Sequence, residues 1–422
     1  SNMLNRGFCF LLCAALLAAL SACGAQEPAE SPAASTGGSV AASEPSRPAQ
    51  SSSLRELYMG AATSEGYYFI DPIQNSDGSV TLMYLDFAKG VELPLCSSPG
   101  CPHNGPECPA NLPASGGGYV PLAVGEQLVL VYTGAPSSSQ DLGEGALPRI
   151  ETMEPDGSGR TPIIRFESGQ ELFDPYITDG QNLYCNLMTT KGGQTTKELV
   201  CIDLTSGEMT ALCTLDDSVG ETLSGACGEA FILSSYNKQG QRVFLRMDAA
   251  SLQKEELLTI SPDISTYRLE NGQLYYIAQN QLHALDCASL DDTVVCELDP
   301  LSEAQDALLG SSRDGHVLML LDDYETGETS YFAIDTATGE QPPFTLAYSS
   351  AMGSQRPVVI LAKVPGQEVY LVETGETMVD VQTTGSDGTA VTVQIPRPMH
   401  ALISVSDYWS SNSNYTKIQS DF

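Results

Sequence analysis

One short phrase recurs along this chain, and its spacing constrains the fold more than any other feature. It is an apolar strand end, an Asp, a tight turn and a second strand running back. YLDFAKGVELPLC (84–96), CIDLTSGEMTALC (201–213) and ALDCASLDDTVVCEL (284–298) align without gaps. Each sets a Cys behind its Asp at one spacing: Asp86 and Cys96, Asp203 and Cys213, Asp286 and Cys296. LRMDAASLQKEELL from 245 and FAIDTATGEQPPFTL from 332 keep the Asp without the Cys, and ETMEPDGSGRTPIIRF from 151 is a looser copy. An Asp at a strand end caps a turn by accepting backbone N–H bonds. The Asp positions 86, 156, 203, 248, 286 and 335 fall mostly about 40 to 50 residues apart, the length of a four-stranded propeller blade. A seventh copy is expected between 356 and 422, with GSDGT at 385–389 as its turn. The expected fold is therefore all-β, a β-propeller of seven four-stranded blades, with six or eight blades as alternatives. A pair of β-sandwiches is the competing architecture, but sandwiches do not demand such a repeated unit.

The phrases between the turns agree. GYYFI (66–70), VTLMYLDF (80–87), QLYYIAQ (273–279) and EVYLVET (368–374) are short, β-rich and bounded by Gly, Asn, Asp and Ser. Helical periodicity is almost absent. The propeller is expected over 54–422, with a Cys- and His-bearing insertion loop at 96–116.

The N-terminus has a different character. Ser1-Asn2 before Met3 reads as a tag scar. Asn5-Arg6 then leads into FCFLLCAALLAAL (8–20), too short to span a membrane but suited to the apolar region of a signal peptide. Leu20-Ser21-Ala22-Cys23 resembles the lipobox of bacterial lipoproteins. That resemblance implies cleavage after residue 22 and a lipid on Cys23, which needs a thiol to carry the diacylglycerol and small residues before it. Residues 24–53 are chiefly Ala, Ser, Pro, Glu and Gly, with one Val and no aromatic residue, so 23–53 is expected to be a lipidated Cys and a disordered tether. An extracytoplasmic, lipid-anchored location follows.

Taken with the repeated strand-Asp-turn phrases and the segment LCSSPGCPHNGPECPA (95–110), the chain resembles the propeller lipoproteins of Gram-positive anaerobes. The resemblance implies fold and location and no activity.

Charge narrows the partners. Asp and Glu number 53 against 19 Lys and Arg, a net charge of −34. Such a surface repels phosphate backbones, so nucleic acid is excluded, and it disfavours docking on anionic lipid beyond the anchor itself.

The compact constellation is Cys96, Cys101, His103 and Cys108. A disulfide among the three cysteines, leaving one thiol over, is the first reading in an oxidising compartment, with His103 then a polar loop residue. A Cys3His zinc site is the second, and free thiols the third. No other cofactor is indicated. Cys96 also shares its repeat position with Cys213 and Cys296, which favours packing. Cys185, Cys201, Cys213, Cys227, Cys287 and Cys296 fall in or beside strand phrases and read as small apolar residues. His283 and His316 read as sheet residues, and no nucleophile elbow, HExxH, P-loop or dinucleotide fingerprint occurs. Tyr408, Trp409 and Tyr415 are candidates for a ligand platform, against the alternative of an apolar clasp.

Two functions are consistent with these features. One is a binding or scaffold module that presents a propeller face to a protein, peptide or glycan. The other is a carbohydrate-active hydrolase or lyase with acids meeting at the propeller axis. Finally, LRELYMGA (54–61) and the C-terminal 400–418 segment are expected to lie in the same or adjoining sheets and close the ring.

Overall fold

The computed structural model describes residues 53–57, 60–114, 117–134, 145 and 147–420. The expected signal peptide, the Cys23 lipidation site and, apart from Ser53, the tether lie outside the described residues. The strands gather into seven antiparallel blades in chain order, a seven-bladed β-propeller. Blade 1 holds Ala61–Ala62, Gly66–Ile70, Val80–Asp86 and Val91–Pro94, and blade 2 holds Tyr119–Val124, Gln127–Tyr132, Arg149–Met153 and Thr161–Arg165. Blade 3 is Gln170–Thr178, Asn182–Lys191, Gln194–Asp203 and Met209–Leu215; blade 4 is Thr222–Cys227, Ala230–Tyr236, Arg242–Asp248 and Lys254–Thr259. Blade 5 is Ile264–Glu270, Gln273–Ala278, Gln281–Asp286 and Asp292–Glu297. In blade 6, Gln305–Arg313, His316–Asp323 and Glu328–Asp335 are regular strands, and the outer position is reduced to one bridge, Phe332 to Pro343. Blade 7 is Val359–Lys363, Val369–Thr384, Ala390–Ser404 and Thr416–Lys417.

Each blade is packed on both faces, so its second strand is apolar on both. Leu274, Tyr275, Tyr276, Ile277 and Ala278 are all buried, as are Phe231, Ile232 and Leu233. Among the described residues the core divides into seven apolar clusters, each shared by two neighbouring blades. The cluster between blades 7 and 1 is the thinnest, with Tyr67, Leu85 and Leu371 buried at its centre.

The recurring Asp acts as expected. Asp203 Oδ1 accepts the N–H groups of Thr205 and Ser206, both at 2.8 Å. Asp248, Asp286 and Asp335 accept the matching pairs in their own turns. These donors hold the carboxyls of Asp203, Asp248 and Asp335 below the usual range. Each turn then needs a left-handed residue, supplied by Gly90, Gly207 and Gly339 and, in blades 4 and 5, by Leu252 and Leu290. A Cβ on Gly207 would fall 1.9 Å from the Ile163 carbonyl oxygen, and one on Gly339 would fall 2.7 Å from that of Val295. The turn of one blade thus rests on the outer strand of the blade before it.

The seventh copy departs from expectation. GSDGT does not close the outer hairpin of blade 7. It tips the long hairpin of Val369–Thr384 and Ala390–Ser404, where Asp387 accepts the Thr389 N–H at 3.0 Å. The place of the outer Asp turn is taken by a short helix, Val405–Trp409, capped by the Ser404 hydroxyl, which accepts the Asp407 N–H.

The expected closure holds in part: Ala61 enters blade 1 and residues 400–404 the adjoining blade 7, but the residues before Ala61 go elsewhere. Arg55–Leu57 pairs with Tyr176–Thr178 of blade 3, and Leu54 is buried between blades 3 and 4. Closure falls to the C-terminus, where Gln419–Ser420 adds in parallel to Val91 and Glu92 of blade 1. Beside it His400 Nδ1 of blade 7 lies 2.5 Å from Glu92 Oε2, with both side chains almost wholly buried. The Ser420 hydroxyl donates to the other Glu92 oxygen at 2.6 Å. The seam is thin in apolar area and is reinforced by buried polar pairing.

Candidate metal centre and hairpin arm

The Cys/His segment sits inside the outer strand of blade 1. Val91–Pro94 pairs with Met83 to Asp86 of the neighbouring strand. Leu95 N–H then donates to the Leu82 carbonyl, and Leu82 N–H donates to the Ala110 carbonyl. Asn111 and Leu112 continue the pairing opposite Thr81 and Val80. The outer strand is therefore one strand, interrupted between Leu95 and Ala110 by an excursion over 96–109. This is shorter than the expected loop of 96–116, because 110–112 already belong to the sheet.

Cys96 and Cys108 stand at the neck of the excursion and Cys101 and His103 within it. One ligand atom from each of the four lies within 4.8 Å of all the others, so the cluster could hold a metal ion. The Cys108 Sγ is 3.5 Å from His103 Nδ1. The three cysteines are unbridged thiols, and Cys108 is buried. Burial pushes the Cys96 thiol up, but the Ser98 N–H and the Cys108 and Cys101 thiols outweigh it and hold Cys96 below its usual range. Burial pushes Cys108 up to about 11. His103 is thus brought into the cluster rather than left as a loop residue, and Cys96 turns to it rather than packing like Cys213 and Cys296. Cys185, Cys201, Cys227 and Cys287 are buried in the clusters between blades, as expected of small apolar residues.

The proposed aromatic platform is a clasp. Tyr408 and Trp409 are buried between blades 6 and 7, with Tyr415 packed against them. The Trp409 ring stacks on His316 at 4.9 Å, and its Nε1–H donates to Tyr370 Oη at 3.0 Å. The Tyr408 hydroxyl donates to the Val358 carbonyl. A groove of about 740 Å³ opens beside them, lined by His316, Asp335, Glu340, Glu368, Ser406 and Trp409 among others. His283, in its strand, stacks on Tyr276.

For an acid pair, the notable carboxylate is Glu56. Burial lifts it to about 7, opposed by the Ala226 N–H it accepts and assisted by the charge of Glu270. Glu270 itself pairs with Arg268 and Arg313 and accepts the Ser312 N–H.

The feature that sequence reading missed is the arm of blade 7. Beyond its root the long hairpin carries Val379 opposite Ile395, Val381 opposite Val393 and Thr383 opposite Val391 on one face. The other face has Asp380 opposite Gln394 and Gln382 opposite Thr392, each pair hydrogen-bonded. Among the described residues no strand pairs with either edge of the arm beyond its root. Val391 and Val393 are each 38% exposed. The root is braced: Arg397 pairs with Asp71 of blade 1 at 3.0 Å, and Glu376 accepts the Ala351 N–H and meets Arg356. The alternation of valines around GSDGT was the available signal.

Fold and site define a seven-bladed propeller with a Cys/His cluster let into its first blade and an amphipathic arm on its seventh. No protein-family model and no curated protein matches the chain. Solved structures similar to it include a prolyl endopeptidase at 13% identity and a TM-score of 0.46, covering 83% of this chain and 47% of that one. The chain thus spans about half the length of that enzyme. Another is TolB from Acinetobacter baumannii, at 13% identity and a TM-score of 0.33, covering 81% and 77%. A third is Porphyromonas gingivalis dipeptidyl peptidase 4, at 10% identity and a TM-score of 0.43, covering 84% and 65%.

Proposed function

We propose that the protein is a lipid-anchored cell-surface module that binds another protein through the arm of blade 7. The observation that carries this reading is the uncovered valine face of a two-stranded arm. A lone hairpin is marginal in water, and an apolar face with two open edges is a template for strand addition. The arm is nevertheless braced at its root by Asp71 and by Arg356, so it is presented in a fixed direction. With a net charge of −34, a second copy would be repelled, which favours a partner offering an apolar strip or edge strand inside a basic rim. The lipobox-like Leu20-Ser21-Ala22-Cys23 and the Ser- and Pro-rich 24–53 segment support a position outside the membrane, within reach of such a partner. A zinc ion in the Cys/His cluster has a structural part in this reading. An enzymatic reading would rest on Glu56, which among the described residues accepts the Ala226 N–H and whose acidic neighbour Glu270 is already paired.

The test is a photo-crosslinker at position 391 in cells of the native source. The account predicts one discrete heteromeric adduct in the membrane fraction, borne by a chain that begins at lipidated Cys23. A Cys23→Ala chain should leave the membrane and lose the adduct. An adduct of twice the chain mass, or none, contradicts the binding reading; a Cys23→Ala chain that stays membrane-bound contradicts the anchor.

A further inference from the structure

We infer that Cys96, Cys101, His103 and Cys108 bind one zinc ion that fastens the interrupted outer strand of blade 1. In a tetrahedral site with Zn–S near 2.3 Å and Zn–N near 2.0 Å, sulfurs lie about 3.8 Å apart and a sulfur and a nitrogen about 3.6 Å. The four ligand atoms here lie within 4.8 Å of one another, and the Cys108 Sγ to His103 Nδ1 separation is 3.5 Å. That is a set of four donors around one point.

His103 adopts a left-handed φ of 57°, a conformation that costs energy outside glycine. A disulfide would use two of the three sulfurs, leave the third thiol over and give His103 no part.

The location explains what the ion does. The strand leaves the sheet after Leu95 and rejoins it at Ala110, and both residues bond to Leu82. Cys96 and Cys108 sit just inside these two points, so an ion held between them closes the neck of the excursion. The Pro109 carbonyl, next to Cys108, accepts Arg160 Nη1–H from blade 2 at 3.0 Å, which ties the neck to the neighbouring blade. Binding breaks three S–H bonds, forms three Zn–S bonds and one Zn–N bond, and gives three protons to solvent. No electron moves. The disulfide alternative requires an oxidant to take two electrons.

The test uses the full chain purified with reductant and measured for metal by inductively coupled plasma mass spectrometry. One zinc per chain is expected. Cobalt(II) in its place should give the intense visible absorption of a tetrahedral thiolate site. Cys101→Ser and His103→Ala should each lower retained zinc at least tenfold while keeping the β-sheet circular dichroism, since neither side chain lies in a blade cluster. His103→Cys should retain zinc. A wild-type chain without zinc under these conditions, a disulfide among Cys96, Cys101 and Cys108 in protein isolated from cells, or retained zinc in His103→Ala would each overturn the inference.

Discussion

At the scale of single residues, turn glycines do two separate jobs: Gly207 stands in an Asp turn, and Gly366 in the turn between Val359–Lys363 and Val369–Thr384 of blade 7. Gly207 and Gly366 share a left-handed backbone, with φ of 74° at both. A Cβ on Gly366 meets nothing within 4 Å, whereas one on Gly207 meets the Ile163 carbonyl of the preceding blade. Gly366→Ala should therefore cost about 1 kcal/mol, the conformational term alone. Gly207→Ala should cost several kcal/mol, because the turn must lift off its neighbour. Urea denaturation checks this; equal midpoints would mean that the turns do not bear on adjacent blades. The Asp of these turns was legible because its chemistry is local: its side chain meets backbone N–H groups two and three residues on. The left-handed position was less so, since Leu252 and Leu290 fill it where glycine would have announced it. Glu56 was not legible at all, because burial by distant blades sets its character. Its folded pKa of about 7 lies above the ordinary 4.5. Between these values the native state holds a proton that the unfolded chain has released, so stability falls as pH rises through that window. The difference is worth at most about 3 kcal/mol. Glu56→Gln, which keeps an oxygen for the Ala226 N–H, should match wild type near pH 4.5 and exceed it at pH 8. Parallel stability curves would contradict this.

At the scale of elements, ring closure rests on the last strand. Removing residues 416–422 strips Gln419–Ser420 from blade 1, takes Ile418 from the seam, and uncovers Glu92 beside His400. The buried His400–Glu92 contact opened in this way, together with the lost Ser420 hydrogen bond and edge strand, should lower the melting temperature by several degrees or send the domain into aggregates. Calorimetry would show this, and a truncated monomer melting with the full chain would contradict it. Sequence reading gave ring closure to residues 54–61 together with 400–418; Ala61 does enter blade 1, next to blade 7, but 55–57 join blade 3 and the added closing strand is Gln419–Ser420. Strand pairing is made by backbone groups that every residue carries, so an orphan strand does not name its partner. GSDGT misled for a related reason: Asp387 and Thr389 make the same capping bond as the outer turns, and that bond suits any hairpin. The Cys/His cluster was legible as a set of residues. Its location at the neck of a split strand was not, because that depends on Leu82, which lies outside the motif.

At the scale of the whole molecule, among the described residues six Asp turns and seven shared clusters make a closed body that carries one long hairpin arm with a partly exposed valine face. The repeat period carried enough information for the propeller, since blades differ in side chains but share one length and one turn. The arm lengthens a single hairpin, so it has no counterpart in the repeat. Replacing Val379–Ile395 by Asn-Gly joins Met378 to Pro396 across a two-residue turn, which suits directly paired strands. The replacement removes no residue of any blade cluster. The decisive measurement is the native size of this shortened chain and of wild type, extracted side by side from membranes in mild detergent. The account predicts that wild type runs as a heteromeric complex, and that the shortened chain runs as a monomer with an unchanged melting temperature. Wild type extracted as a monomer, or a shortened chain still in the complex, would contradict it.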